Sequence, residues 1–313
     1  MRIIKDSTDF RLEENTVVAI GKFDGVHKGH EKIIRRMRGF KEQGLKLAIF
    51  TFSSPPGFVT SKTHQKVITT TEEKRRIFET FGVDYLIEFP FFEKTAAIAP
   101  ADFIEDILLY RMRARALVCG PDLRYGYKGR GDIRLLKSYE KEGEFTAHVV
   151  EKELWRGEEI SSSRIREQIL SGSIEEANSM LVMPFMFFGE VVHGRRLGRT
   201  IGMPTVNLLP DTEKLMPPSG VYYSKVRHLD TEYRSITNIG TKPTIVKKDG
   251  REEPVKGVET YIYNFNDEIY GDQLLVFILS FVRPEINFGS IEALKEGMRR
   301  DIEKGREWHR EHF

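Results

Sequence analysis

Apolar and polar positions along the chain change their period once, near residue 183, and that change divides the sequence. Up to about Glu88, short β-branched runs alternate with amphipathic segments, the pattern of βαβ units on a parallel sheet. Thr16–Ile20 reads as the first strand, Ile33, Met37 and Phe40 recur at helical spacing behind a glycine-containing turn, and residues 47–52 form a second strand. Thr70 and Glu73 make a capping box for a helix that ends near Gly82. A strand at 85–89, a helix at 101–112 and a strand at 116–119 continue the alternation toward five strand–helix units.

Beyond Met183, residues 187–192, 221–226, 258–263 and 274–281 are strand-like runs separated by Gly, Pro and Asp, with no helices between them. A boundary is expected near Pro184, followed by a small antiparallel barrel whose closure leaves few edges exposed. A polar amphipathic helix from Ile291 to about Trp308 ends the pattern, and no internal repeat is visible.

Length supports the same division, because 313 residues is about twice the ~150 of a typical domain. With 40% hydrophobic and 31% charged residues, and only 13 Pro and 26 Gly, the composition is that of a folded globular chain. Lys and Arg exceed Asp and Glu by 49 to 47, so no global charge points to nucleic acid or an anionic membrane, and any phosphate site must be local. The most apolar stretch, residues 274–282, is far below the ~20 residues of a membrane helix and reads as a buried strand. Met1-Arg2-Ile3-Ile4-Lys5-Asp6 breaks into charge too early for a signal peptide, and the single cysteine, Cys119, fits a reducing compartment, so a cytoplasmic protein is expected.

Candidate chemistry concentrates in two places. Between the first strand and first helix lies Gly21-Lys22-Phe23-Asp24-Gly25-Val26-His27-Lys28-Gly29-His30. Backbone amides of such a turn and a helix N-terminus attract phosphate, and His27 and His30 either donate to phosphate oxygens or merely cap the turn. The segment matches neither G-x-G-x-x-G nor G-x-x-x-x-G-K-[ST], which argues against a dinucleotide fold and a P-loop. Ser161-Ser162-Ser163-Arg164-Ile165-Arg166 opens another helix, where the hydroxyls and Arg166 suit a triphosphate or, alternatively, an N-cap and a solvated charge.

The second place is Val192-His193-Gly194 followed by Gly198-Arg199-Thr200-Ile201-Gly202-Met203-Pro204-Thr205-Val206-Asn207. Thr205 and Asn207 can face one hard cation and its phosphates, or cap a Pro-bearing turn. Asn238-Ile239-Gly240-Thr241-Lys242-Pro243-Thr244 reads as a further small-residue turn. Glu259 alternates with Tyr261 and Tyr263 as in a strand, and serves as a base or simply faces water.

The histidine and serine–arginine segments resemble the H-x-G-H nucleotidylyltransferase superfamily, and Phe23-Asp24-Gly25-Val26-His27 is similar to its FAD synthetase branch. Gly120-Pro121-Asp122-Leu123-Arg124-Tyr125-Gly126 with Gly129-Arg130-Gly131-Asp132 resembles that branch's flavin and nucleotide loop, while G-x-P-T-x-N and the strand glutamate resemble riboflavin kinases. In this order, from about Thr16 to Asp301, the segments resemble the bacterial bifunctional riboflavin kinase/FAD synthetase family.

The resemblance implies a Rossmann-like α/β nucleotidylyltransferase domain, residues 1–183, and a β-barrel kinase domain with a C-terminal helix, residues 184–313. It implies phosphorylation of riboflavin to FMN and adenylation of FMN to FAD, with ATP and Mg²⁺, and small molecules as partners rather than nucleic acid or membrane. Adenylyltransferase ATP contacts would be Gly21, Phe23, Asp24, Gly25, His27, Gly29, His30, Ser161, Ser162, Ser163 and Arg166, with His27 and His30 catalytic. Flavin contacts there would be Asp122, Arg124, Gly126 and Asp132. In the kinase, Gly194, Gly198, Arg199, Gly202, Pro204, Thr205 and Asn207 would hold ATP, Thr205 and Asn207 the metal, and Glu259, the base, would meet the flavin with Arg283.

Two departures are mild: Ser163 ends an S-S-T pattern and retains the hydroxyl, and Met203 replaces a usual Phe, preserving bulk but altering the local packing. A third bears on activity, since Phe52-Ser53-Ser54-Pro55-Pro56 lacks the histidine of F-x-P-H-P. A riboflavin kinase with a weak or inactive adenylyltransferase module is therefore the alternative, and an oligonucleotide-binding barrel using Arg195, Arg196 and Arg199 is a remoter one.

Overall fold

Residues 1–53, 65–141, 145–194, 197–246 and 252–312 are described by the computed structural model. Their internal contacts divide the chain into Met1–Ser162 and Ser163–Phe313.

The first unit is built on β1 (Arg2–Lys5), β2 (Thr16–Ile20), β3 (Lys46–Phe52), β4 (Tyr85–Phe89), β5 (Ala114–Cys119) and β6 (Thr146–Val149). All pair in parallel, in the order β1-β4-β3-β2-β5-β6. From β2 the chain steps outward through β3 and β4, then returns to β5 on the other side of β2. The topological switch thus lies between β2 and β5, and a crevice outside their carboxyl ends is where a Rossmann-like sheet binds ligands. Every residue of β2 and β4 is buried, as covering both faces of a parallel sheet requires. The buried carboxylate in β4, Glu88, is met by both arms of Arg75, with Nε 2.8 Å from Oε1.

Helix α1 (Lys28–Arg38) follows β2 and buries Ile34 and Met37. Helix α2 (Thr71–Thr80) opens on the expected box: Thr70 Oγ1 accepts from Glu73 N at 3.3 Å and Glu73 Oε2 from Thr70 N at 2.9 Å. Three expectations need correction here. The first strand is β1, an edge strand of four mostly exposed residues that shows no alternation. Residues 101–112 are not a regular α-helix: a single turn, Pro100–Asp102, leads into a π-helical segment, Phe103–Arg111, where Met112 N bonds Ile107 O at 2.9 Å. With β1 the parallel sheet has six strands, one beyond the five expected strand–helix units. Helix α3 (Ile133–Lys141) and a two-stranded hairpin, β7 (Leu154–Trp155) and β8 (Glu158–Glu159), complete the unit.

The second unit begins with α4 (Ser162–Ser171) and α5 (Ile174–Met180). Its six remaining strands are β9 (Met186–Val192), β10 (Val206–Leu208), β11 (Gly220–His228), β12 (Thr231–Val246), β13 (Glu252–Ile262) and β14 (Gln273–Pro284). They close an antiparallel barrel in the order β10-β13-β12-β11-β14-β9. Inside it the hydroxyls of Ser224, Ser235, Thr237 and Thr260 satisfy one another at 2.7–2.8 Å, all fully buried. The terminal helix α6 (Ile291–His312) runs four residues beyond the expected end.

The expected turn at Asn238 is instead the middle of β12, whose pairing with β13 shifts only between Lys242 and Ile245, around Pro243. Gly, Thr and Pro imitated a turn, yet Gly240 stays in the strand, where a Cβ would displace the Glu285 carboxylate lying over the bare backbone.

Asn178 in α5 ties its helix to the barrel: Nδ2 donates to Ile278 O at 2.9 Å and Oδ1 accepts from Phe185 N at 2.8 Å. Replacing it with Ala strands both backbone groups, so Asn178→Ala should destabilise this unit by about 1–3 kcal/mol. Denaturant midpoints of wild type and variant measure it; equal midpoints would contradict the tie.

Candidate functional site

In the first unit the turn after β2 is shaped by local constraints. Gly25 has φ +58°, and a Cβ there would sit 2.9 Å from the Ile68 side chain, so both conformation and space demand glycine. Phe23 also holds a positive φ, 50°, a strained state secured by a fully buried ring that packs edge-on against Phe78 and 4.9 Å from His30. A Cβ on Gly21 would touch that ring at 3.1 Å, and one on Gly29 would touch His27 at 3.1 Å. The Asp24 carboxylate accepts from Ile68 N at 2.8 Å and Thr69 N at 3.2 Å, and its carbonyl accepts from Ser162 Oγ at 2.7 Å.

This frame stacks His27 and His30, ring centroids 3.7 Å apart, at the start of α1. The His27 backbone N–H donates to His30 Nδ1 at 3.3 Å, so a neutral His30 carries its proton on Nε2. His27 Nδ1 is buried with no hydrogen-bond partner among the described residues. Burial pushes the His27 pKa down to about 4. Burial, then the charges of His27 and Lys74, hold that of His30 well below the ordinary value. Both rings are therefore neutral N–H donors near pH 7, not cations.

Lys74, which nothing in the sequence flagged, stands in α2 close enough to this turn to act on His30. Burial lowers its pKa, while Asp24 and then Glu88 oppose the shift.

Of the expected flavin-loop residues, Arg124 and Asp132 are brought together, whereas Asp122 pairs elsewhere. Asp122 is exposed and pairs with Lys152 Nζ at 2.5 Å. Asp132 caps α3, accepting from Arg134 N at 2.9 Å and Leu135 N at 3.1 Å, with Arg124 at 3.5 Å. The Leu135 amide is the main cause holding its carboxyl below the ordinary range. Gly126 turns at φ +68° against Pro100. Of the serines, Ser162 reaches Asp24, Ser161 precedes it, and Ser163 and Arg166 continue α4 in the second unit. Ser54, Pro55 and Pro56, and Arg195 and Arg196, lie outside the described residues.

In the second unit, Gly194, Gly198, Thr205, Asn207, Glu259 and Arg283 line one cavity of about 590 Å³. Register explains the grouping: Asn207 is paired with Glu259 across β10 and β13, and their side chains share a face. Thr205 Oγ1 donates to Glu259 Oε1 at 2.6 Å. A Cβ on Gly194 would collide with the Asn207 amide, and one on Gly198 with the Met203 carbonyl, to which its own carbonyl is already tied through Met203 N at 2.7 Å. Gly202 turns at φ +76°, and Arg199 lies in the short helix Leu197–Thr200. Arg283 is held flat by Asp301, Nη2 to Oδ2 at 2.5 Å and Nε to Oδ1 at 3.2 Å. Pro204 and Thr205 also border a second cavity of about 290 Å³ that includes Phe265 and Tyr270.

The donors fit a magnesium ion only in part. Thr205, Asn207 and Glu259 supply hard oxygens, but no cluster of three His, Cys, Asp or Glu suited to a metal occurs among the described residues. An ion there would need phosphate oxygens to complete its shell, as Mg²⁺ bound with a nucleotide does.

Comparison with known proteins finds an FAD synthetase family over residues 9–164 and a riboflavin kinase family over residues 181–309. The bifunctional riboflavin kinase/FMN adenylyltransferase of Listeria monocytogenes (strain EGD-e) is 33% identical, covering 94% of this chain and 93% of its own. Those of Bacillus subtilis (strain 168) and Escherichia coli (strain K12) are 34% and 33% identical, covering 92% and 95% of this chain and 91% and 93% of theirs. A crystal structure described as a macrolide-efflux protein from Streptococcus pneumoniae matches with TM-score 0.84 and 31% identity, covering 98% of this chain and 99% of that one. Among the described residues, no helix here is long and apolar enough to cross a membrane.

The depressed histidines give a pH prediction. The unfolded chain binds protons at His27 from its ordinary value near 6.5, whereas the folded chain does so only near 4. The first unit should therefore lose stability as pH falls from about 6.5 toward 4, and His27→Gln should flatten that loss. Midpoints across this range, with the His27 ring resonances followed by NMR, are the test; a ring titrating near 6.5 in the folded protein would contradict its burial.

Proposed function

The chain belongs to the bifunctional riboflavin kinase/FMN adenylyltransferase family, and from that premise we propose which residues carry each of its two reactions. It phosphorylates riboflavin with ATP to give FMN, then adenylates FMN with ATP to give FAD and pyrophosphate. We assign adenylyl transfer to residues 1–183 and phosphoryl transfer to 184–313. The two family matches support the order, and the tie from Asn178 to Phe185 and Ile278 recommends beginning an isolated kinase fragment at Ser163.

The observation that carries the kinase assignment is the single cavity shared by Thr205, Asn207, Glu259 and Arg283. Thr205 occupies one carboxylate oxygen of Glu259. The other oxygen is left to accept the proton of the ribityl 5′-hydroxyl as it attacks the γ-phosphorus. Phosphoryl transfer asks for position and charge more than covalent help. Asn207 and the Gly194 turn orient the nucleotide, and the Asp301-braced guanidinium of Arg283 orients the flavin. Mg²⁺ enters with ATP as substrate, and neutralises phosphate charge when bound.

In adenylyl transfer the FMN phosphate is itself the nucleophile toward the α-phosphorus of ATP, and pyrophosphate leaves. His27 and His30, neutral and stacked at the N-terminus of α1, donate N–H groups to the oxygens on which charge develops. Ser162, Ser163 and Arg166 hold the outer phosphates, and Arg124 and Asp132 the flavin. The one cysteine, Cys119, is buried and makes no disulfide, which fits a reducing compartment, and we place the enzyme in the cytoplasm.

Glu259→Gln should lower FMN formation by roughly two to four orders of magnitude, the usual contribution of a positioned acid–base group, and spare FAD formation from supplied FMN. Separation of flavins after incubation with ATP and Mg²⁺ reads both. Unchanged FMN production would remove Glu259 as base, and no FAD from supplied FMN in wild type would leave the kinase alone active.

A further inference from the structure

Asn238 and Gly240 have no part in the assignments above, yet β12 carries both to the wall of the kinase cavity. Strand pairing sets three polar side chains in a row: Asn207 opposite Glu259 across β10 and β13, and Glu259 opposite Asn238 across β13 and β12. Directly paired residues share a face with Cβ atoms about 4.5–5.5 Å apart. The next position of the row is apolar, Val221 of β11, and Asn238 turns its amide to Glu285, just after β14, with Nδ2 donating to Oε1 at 3.2 Å.

That bond orients the amide. An ionised carboxylate only accepts, so the nitrogen of Asn238 faces Glu285 and the carbonyl oxygen takes the other branch. Gly240 is an independent observation on the same pair. Its φ is not positive, so no turn requires glycine there; a Cβ would instead collide with the Glu285 carboxylate. The missing side chain is the seat on which that carboxylate rests.

The acceptor of the kinase reaction carries several vicinal hydroxyls on its ribityl chain, and only the terminal one is phosphorylated. Once the chain leaves water, each interior hydroxyl needs both an acceptor and a donor. An amide oxygen, a second amide N–H and a carboxylate oxygen, next to Glu259, are that set. The geometry points to Asn238 and Glu285 as a pair that reads the interior ribityl hydroxyls and so sets which hydroxyl arrives at Glu259. This rests on the kinase assignment, and Asn238 and Glu285 act by positioning the substrate rather than by moving its proton.

The test uses the full chain and two acceptors, riboflavin and flavins lacking one interior hydroxyl, with fluorescence quenching for binding and initial rates for kcat and KM. Wild type should prefer riboflavin by about ten-fold in kcat/KM, the scale of one hydrogen bond to a polar partner. Asn238→Ala should lose about that factor on riboflavin, leave the KM for ATP unchanged, and lose nothing more on the deoxy flavin. Gly240→Ala, which pushes Glu285 off its seat with Asn238 intact, and Glu285→Gln should move the riboflavin KM in the same direction, and they decide the matter if Asn238→Ala does not fold. Deoxy discrimination that persists in these variants, or a KM for ATP that rises with that for riboflavin, overturns the pair's role. A wild type that makes no FMN overturns the kinase assignment itself, and this inference with it.

Discussion

Strand register in the closed barrel is the constraint on which the kinase site depends. Side chains alternate faces along a strand, so a slip of one residue would carry Glu259 inward and Thr260 outward. The interior is built to reject that slip. Thr260 belongs to the buried hydroxyl chain with Thr237, Ser224 and Ser235, each at 2.7–2.8 Å from its partner. Exchanging Thr260 for a carboxylate would break that chain and bury an unpaired charge, while closure of the barrel through β9 and β10 removes the edge at which a strand could shift. The hydroxyls inside thus hold Asn207, Glu259 and Asn238 in line outside.

The first unit solves a related problem with a different scaffold. Its sheet is parallel and covered on both faces, so its chemistry collects at the carboxyl ends of β2 and β5. Two imidazoles 3.7 Å apart could not both be charged there, and burial keeps them neutral. The partial positive charge of the α1 N-terminus faces them there, with Lys74 nearby, its pKa lowered by burial against the opposing pull of Asp24. The strained Phe23 and the sterically required Gly25 hold this arrangement in place.

Much of this was legible in the residues because local signals and the final fold agree. The Thr70–Glu73 box, the buried run in β14 and the strand position of Glu259 all appear as read. Where reading failed, a tertiary contact had replaced a local rule. β1 is an edge strand held by β4 rather than by its own pattern, and the glycine at 240 answers to a carboxylate forty-five residues away, not to a turn. Lys74 and Glu285 gave no local sign, since the charge of each acquires meaning only from the side chains that folding brings beside it. Motif order conveyed the two reactions; it could not convey that Asp132 caps a helix or that Asp122 pairs with Lys152.

In the proposed assignment, two scaffolds in one chain direct the riboflavin hydroxyl and the FMN phosphate at two different phosphorus atoms of ATP. Supplying riboflavin with ATP labelled either at the γ- or at the α-phosphate, then cleaving the resulting FAD between its two phosphates, tests it most directly. The γ-label should appear only in the FMN half and the α-label only in the AMP half. Label from a single ATP position in both halves, or γ-label in the AMP half, would contradict it.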